Sequence, residues 1–427
     1  MYLEVKQSSL SGSIRIPASK SHTIRGVLMG TLAQGTTVLT NPLEASDTLS
    51  AVQCCKALGA RITQEPDRWM IEGISGHIPA LNESLYVGNS GTTLGNLIAV
   101  CATSDRPITL DGDASIRTRP FAALLKSLQQ LGATVKEAGP NGTAPITIHG
   151  PLQGGEATAD GTTSIYLTPL LIAAPLAPRP SILRVDGVMN EKGYVRMTLD
   201  WLAACGIEVV ANDDLTCFEI PGAQTYRPID RAIAADFSSA AFPTCAAVLA
   251  TDSEVVVTGL DFEDTQGDKQ VFDFLAQMGA VFDRSNRLTI RRSGSLRGIR
   301  MDLSGTPDAL PILAVVGCAA EGETIIENVA MARIKETDRI SVMREELTKM
   351  GADIEEMPDG LIIRRSELHG TRVNGHDDHR IVMALAVAGL IAEGTTQIDS
   401  AESARITYPT FVSSMQALGA EIEEHED

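Results

Sequence analysis

The chain has 427 residues, enough apolar material for two cores rather than one, and its 54 acidic against 35 basic residues leave a formal charge of −19. A field of that sign disfavours nucleic acid or an anionic membrane as partner, so any anionic ligand must be met by a local cluster of cations. The seven cysteines are scattered apart from adjacent Cys54 and Cys55, with no CxxC pair, which indicates reduced thiols and neither zinc nor disulfides.

In chain order the first predicted element is the strand-like stretch MYLEVKQSSLSGSIRIP. It lacks the basic start and apolar core of a signal peptide, and no apolar run is long enough to span a bilayer, so a soluble cytoplasmic protein is expected. From there one punctuation mark recurs along the chain: a helix, a small turn and a strand. The copies are KALGARIT around Gly59, QQLGATVK around Gly132, AACGIEVV around Gly206, AQMGAVFD around Gly279, TKMGADIE around Gly351 and QALGAEIE around Gly419. Glycine just past a helix supplies a left-handed cap, and the alternating residues after it read as a strand with one buried face. Between the marks lie β-rich stretches such as TVLTNPL, PITLDGD, SEVVVTG and ETIIENV, preceded by apolar helices such as LIAVCATS and FPTCAAVLA. The pattern predicts an α/β protein of six repeats, each strand, helix, strands, helix, strand, at a period of roughly 70 residues. Three repeats per domain is the natural division, with the crossing near Ile233 to Asp236.

Several polar motifs interrupt this apolar frame. ASKSHTIRG, Ala18 to Gly26, sets Lys20, Ser21 and Arg25 at a helix start, where N–H groups and the dipole favour anions; a solvated cap would use the same residues. VGNSGTTLG, Val87 to Gly95, combines glycines and hydroxyls that let backbone approach a ligand, or simply turn the chain. SIRTRP sets Arg117 and Arg119 two apart, and proline biases Arg119 away from helix. In the C-terminal half, Asp308 in TPDALPI, then Lys335, Glu336, Asp338 and Arg339 in ARIKETDR, and His379 and Arg380 in HDDHR mix acids with fixed cations. Arginines that hold carboxylate and phosphate, beside carboxylates that move protons, are what transfer from an anionic phosphate ester requires. A charged helix face with internal ion pairs would also produce KETDR.

Taken in order, ASKSHTIRG, GNSGT, RTRP, DFSSAAF, QGD, PDA, KETDR and DDHR resemble the 5-enolpyruvylshikimate-3-phosphate synthase family, from the first strand to the last helix. The resemblance implies the two-domain enolpyruvyl transferase fold, an inside-out α/β barrel of six βαβαββ repeats, three per domain. Residues 18–232 would form one domain, and 1–17 with 233–427 the other, with a two-stranded hinge. It also implies a monomer without metal or organic cofactor whose partners are small molecules, phosphoenolpyruvate and a shikimate-like acceptor. In the family's addition–elimination, the acceptor hydroxyl attacks C2 of phosphoenolpyruvate as C3 is protonated, and the ketal then loses phosphate. Carried over by motif, Lys20, Arg119, Arg339 and Arg380 resemble the phosphoenolpyruvate clamp, with Asn89 and Gly91 lining it. Asp308 resembles the acceptor-side base, Glu336 the residue exchanging protons with the methylene carbon, and His379 a residue that orients the neighbouring acid or cation. Ser21, Arg25, Thr163, Ser164, Ile165, Glu191, Tyr194 and Lys335 fall at acceptor-binding positions.

Four positions depart from the family pattern. Ile165 replaces a glutamine, Glu191 a serine that contacts the acceptor phosphate, and Gly95 an arginine. AESARITYP lacks a lysine, leaving Ser403 or Glu402, with Arg405 near enough to substitute. A carboxylate facing a phosphate is repulsive, so the acceptor is expected to be shikimate 3-phosphate or an analogue with a hydroxyl or amine in place of that phosphate. Two other readings compete. One is the sister family that transfers enolpyruvate to UDP-N-acetylglucosamine, which has a Lys-Asn pair near its start and a loop cysteine that Ser115 to Arg119 lacks. The other is a catalytically silent anion-binding paralogue, for which the two acids would be superfluous.

Overall fold

Six helices end on the same device. Gly59, Gly132, Gly206, Gly279, Gly351 and Gly419 all have φ between 74° and 106°, the left-handed region that side chains resist. After each, an N–H reaches back five residues to a helix carbonyl: Ala60 to Cys55, Ala133 to Leu128, Ile207 to Leu202, Ala280 to Leu275, Ala352 to Leu347 and Ala420 to Met415, at 2.8–3.1 Å. This bond satisfies an orphan carbonyl and redirects the chain. A short strand follows at each, from Arg61–Glu65 to Ile422–His425. At Gly279 the nearest atom to an added Cβ is 3.9 Å away. Gly279→Ala therefore isolates backbone strain and should cost about 1–2 kcal/mol in urea unfolding, with Gly279→Asn costing less.

The computed structural model describes every residue except 80, 82, 284–287, 292–293 and 427. Among the described residues the strands form six four-stranded sheets. One repeat runs Leu85–Tyr86, helix Gly91–Cys101, Ile108–Asp111, helix Ala122–Gln130, Thr134–Glu137, Ile146–His149. Its first two strands pair in parallel and the rest antiparallel, giving βαβαββ.

The chain divides into two compact units, 18–234 and 1–17 with 235–427. Within the first, Asp230–Ala232 returns to pair in parallel with Thr36–Thr40 and completes the opening repeat's sheet. Within the second, the chain start supplies two strands. Ser11–Arg15 runs parallel to Glu254–Thr258, and Tyr2–Lys6 lies antiparallel between Thr395–Asp399 and Ile422–His425.

The first helix of each repeat has no polar face. All thirteen residues of Phe237–Leu249 and all eleven of His379–Gly389 are buried, and Lys20–Leu32, Gly91–Cys101, Ser164–Ala173 and Leu310–Ala319 are nearly so. The second helices are amphipathic: Gln270–Gln277 buries Val271, Phe272, Phe274 and Leu275 only. In unit 18–234 the Gly91–Cys101 helix packs on both Lys20–Leu32 and Ser164–Ala173. In the other unit Phe237–Leu249, Leu310–Ala319 and His379–Gly389 pack on one another. A helix buried all round can meet polar partners only at its ends. ASKSHTIRG, VGNSGTTLG, PDA and DDHR stand at those N-terminal ends, whereas RTRP and KETDR lead into second helices.

All seven cysteines are free, and burial pushes the Cys55 and Cys318 thiols up to about 12, leaving them unreactive. Among the described residues no helix is long and apolar enough to cross a membrane.

Candidate active site

In unit 18–234, Ser19 caps the Lys20–Leu32 helix, accepting from His22 N–H, and Lys20 is its first residue. Lys20 Nζ lies 3.0 Å from Asp47 Oδ2, and both side chains are largely buried. Asp47 carries no motif of its own, so reading the sequence missed it. The turn at Val87 to Ser90 leads into Gly91–Cys101, with Ser90 as cap. Asn89 bridges the turn to the next loop: its Nδ2 donates to Asp113 Oδ2 at 2.8 Å, and its Oδ1 accepts from Arg119 Nη2 at 3.0 Å. Arg119 lies across the helix start, and a Cβ on Gly91 would stand 2.7 Å from its Nη1. Only glycine leaves the guanidinium that position. Arg117 turns outward to an exposed pair with Asp111, so of the two SIRTRP arginines only Arg119 joins this cluster.

The Arg25 side chain is buried, donating from Nε to Thr198 Oγ1 at 2.9 Å, from Nη1 to the Ser21 carbonyl at 3.1 Å and from Nη2 to the Tyr194 carbonyl at 3.4 Å. Burial brings its pKa down to about 10, against the opposing pull of Tyr194 and Glu191. Glu191 meets two of the other residues expected to bind the acceptor. Its carboxylate is buried, with Oε2 accepting from Thr163 Oγ1, Ser164 N–H and Ser164 Oγ. Two further departures touch each other: a Cβ on Gly95 would lie 3.2 Å from Ile165 Cγ1. The isoleucine thus packs into room left by the missing side chain.

In the other unit, three helix N-termini meet through Arg380, whose Nη1 donates to Ser238 Oγ at 2.6 Å and whose Nη2 lies 3.1 Å from Asp308 Oδ2. Asp308 precedes the Leu310–Ala319 helix and also holds Arg339 Nη1 at 2.8 Å, with Lys335 Nζ 3.8 Å away. KETDR is not a helix face. Asp338 caps the Arg339–Lys349 helix and pairs with Arg333, and Arg339 is the first helical residue. Arg339 is buried among three carboxylates, donating from Nε and Nη2 to Asp378 at 2.7 and 3.1 Å, from Nη1 to Asp308, and from Nη2 to Glu336 at 2.7 Å. An incoming anion would have to displace one of them. His379 is buried with Nδ1 3.9 Å from Asp378 Oδ1, beyond hydrogen-bonding distance to that carboxylate.

Burial alone would raise the Asp308 carboxyl, but Arg380, Lys335 and Arg339 outweigh it and hold it well below the ordinary range, against Glu336. Its contribution to stability is therefore full above an unfolded pKa of about 3.9 and is lost as pH falls through the lower folded value. Acid denaturation followed by circular dichroism should show a steeper loss below about pH 4 in the wild type than in Asp308→Asn.

Other motif residues build the frame. Gln266 of QGD accepts from Phe237 N–H and donates to the Ala235 carbonyl, and Asp268 accepts from Thr306 Oγ1. Arg405, near enough to stand in for the missing lysine, makes an exposed pair with Glu424. Asp378 and Ser238 were inside quoted motifs, but no site role was read for them. A capping position before an apolar run was the available signal for Asp378.

What the fold and these two clusters define is an α/β enzyme equipped to handle an anionic ester. A family profile described as EPSP synthase (3-phosphoshikimate 1-carboxyvinyltransferase) matches residues 5–415. The chain is 46% identical over 422 residues to a 3-phosphoshikimate 1-carboxyvinyltransferase of Acetivibrio thermocellus, covering 99% of each. It is 44% identical to one of Ruminiclostridium cellulolyticum, covering 99% of this chain and all of the relative. The solved EPSP synthase of Acinetobacter baumannii superposes with a TM-score of 0.84 at 27% identity over the whole of both chains. The chain belongs to the EPSP synthase family.

Proposed function

We propose that the chain transfers the enolpyruvyl group of phosphoenolpyruvate to a hydroxyl of shikimate 3-phosphate and releases phosphate. The observation that carries this reading is the cluster in which Asp308 and Glu336 both hold Arg339, with Arg380 and Lys335 on Asp308. Two acids bracketed by fixed cations suit a reaction that moves protons beside a phosphate ester.

In this reading Glu336 delivers a proton to C3 of phosphoenolpyruvate as the acceptor oxygen bonds to C2, and Asp308 takes the proton from that hydroxyl. Collapse of the ketal breaks the C2–O bond to phosphate, and C3 gives back a proton. Asp308 is a weak base while three cations face it. An anionic substrate bound by those cations would screen them and restore its basicity, so base strength would rise when substrate arrives. Lys20, with Asn89 and Arg119, suits the carboxylate and phosphate of phosphoenolpyruvate and the charge on departing phosphate. Ser21, Arg25, Thr163, Ser164 and Tyr194 are assigned to the acceptor. The relatives' names favour shikimate 3-phosphate over a non-phosphorylated analogue.

Phosphate release should be measured with phosphoenolpyruvate and either shikimate 3-phosphate or unphosphorylated shikimate. Turnover with the former and at least about a hundredfold lower kcat/KM with the latter is expected. Equal rates, or release with shikimate alone, would reject the assignment.

A further inference from the structure

Glu191 occupies its own enzyme's donors. Its side chain is 3% exposed, and a single oxygen takes three hydrogen bonds of 2.7 Å from Thr163 Oγ1, Ser164 N–H and Ser164 Oγ. Those donors are the cap and first residue of the Ser164–Ala173 helix, a place where the dipole and unshared N–H groups favour negative charge. The backbone is bent to put the carboxylate there. Glu191 has φ 52° and ψ 37°, a left-handed conformation that glutamate resists, at the cap of the Lys192–Ala204 helix, and its side chain makes no capping bond to that helix. Ile165, one residue on, packs against Gly95, where an added Cβ would stand 3.2 Å from its Cγ1. Arg25 adds positive charge within electrostatic range of Glu191.

Thr163 and Ser164 are also the hydroxyls assigned above to the acceptor. Two anions cannot share the same three donors in a buried pocket, because the repulsion is unscreened there. We propose that Glu191 is the specificity-determining residue of the acceptor pocket, an internal anion that holds Thr163 and Ser164 in the empty enzyme and must swing off them for an anionic acceptor group to bind. The proposal rests on the reading of function given above. A phosphate dianion displaces the carboxylate at a cost in affinity, whereas a hydroxyl at the same place leaves it seated and bears no such cost, so Glu191 sets how strongly the charged acceptor is preferred.

The test is calorimetric binding of shikimate 3-phosphate, independent of turnover, to the wild type, Glu191→Asn and Glu191→Ser. Asparagine accepts the left-handed backbone, so at least one variant retains the fold, as unfolding midpoints will verify. Both variants should bind shikimate 3-phosphate about tenfold more tightly and change shikimate affinity by less than about twofold, so that the preference for the phosphorylated acceptor widens, with the gain in acceptor KM rather than kcat and phosphoenolpyruvate KM changed by less than about twofold. Unchanged or weaker binding of shikimate 3-phosphate in the folded variants would overturn the proposal. Tight binding without phosphate release would count against the transferase reading instead and leave the displacement by Glu191 supported.

Discussion

Replacing Arg339 by methionine should destabilise the unit of residues 1–17 and 235–427 by about 3–5 kcal/mol, the cost of breaking a buried ion network from one side. The guanidinium is 1% exposed and is the common partner of Asp378, Asp308 and Glu336, with Asp378 itself fully buried. These carboxylates hold its pKa far above normal despite burial, Asp378 foremost and then Glu336 and Asp308. Without it, Asp378 is an unpaired charge in a dry place. Lysine should recover only part of the loss, because a point ammonium cannot donate in four directions from one plane. Adding Asp378→Asn to Arg339→Met should recover more, since the stranded charge is gone. Urea unfolding of the three variants measures this. A loss below about 1 kcal/mol in Arg339→Met would show that the network contributes little to the fold.

Glu336→Gln should lower kcat by about 10²- to 10⁴-fold, the range for removing a positioned proton-transfer group. The amide oxygen can still accept from Arg339 Nη2, which Glu336 Oε2 now holds at 2.7 Å, so the local structure should persist. Affinity for phosphoenolpyruvate should change by only a few-fold, giving a loss in kcat rather than KM. Initial rates of phosphate release and equilibrium binding separate the two. A kcat within about tenfold of the wild type would take proton transfer away from Glu336.

The frame was legible because its signals are local. A glycine at a helix end needs only its own backbone to explain it, so Gly59 to Gly419 could be read without knowing any partner. The same holds for Ser19, Ser90 and Asp378 as caps and for the uninterrupted apolar helices after them. The pairings were not legible, because they join separate elements and, for Arg339 and Arg380, separate repeats. Lys20 meets Asp47, Arg339 meets Asp378 and Arg380 meets Ser238 across 27, 39 and 142 residues with no periodicity to mark them. Glu191 shows the limit most clearly. Residue type marked a carboxylate among the acceptor positions, but not that a left-handed backbone seats it on the donors of Thr163 and Ser164. Arg405 and Arg117 likewise carried the right charge but are bound to Glu424 and Asp111.

Protonation of a methylene carbon followed by its loss is the step that separates this chemistry from simple displacement at phosphorus. Running the reaction in deuterium oxide with phosphoenolpyruvate and shikimate 3-phosphate, and analysing the product by proton NMR, tests it directly. A carboxyvinyl ether with deuterium in its methylene group is expected, because C3 takes up a deuteron in forming the ketal and then loses any one of its three hydrogens as phosphate leaves. Phosphate release with no carboxyvinyl ether, or an ether whose methylene hydrogens all come from phosphoenolpyruvate, would contradict it.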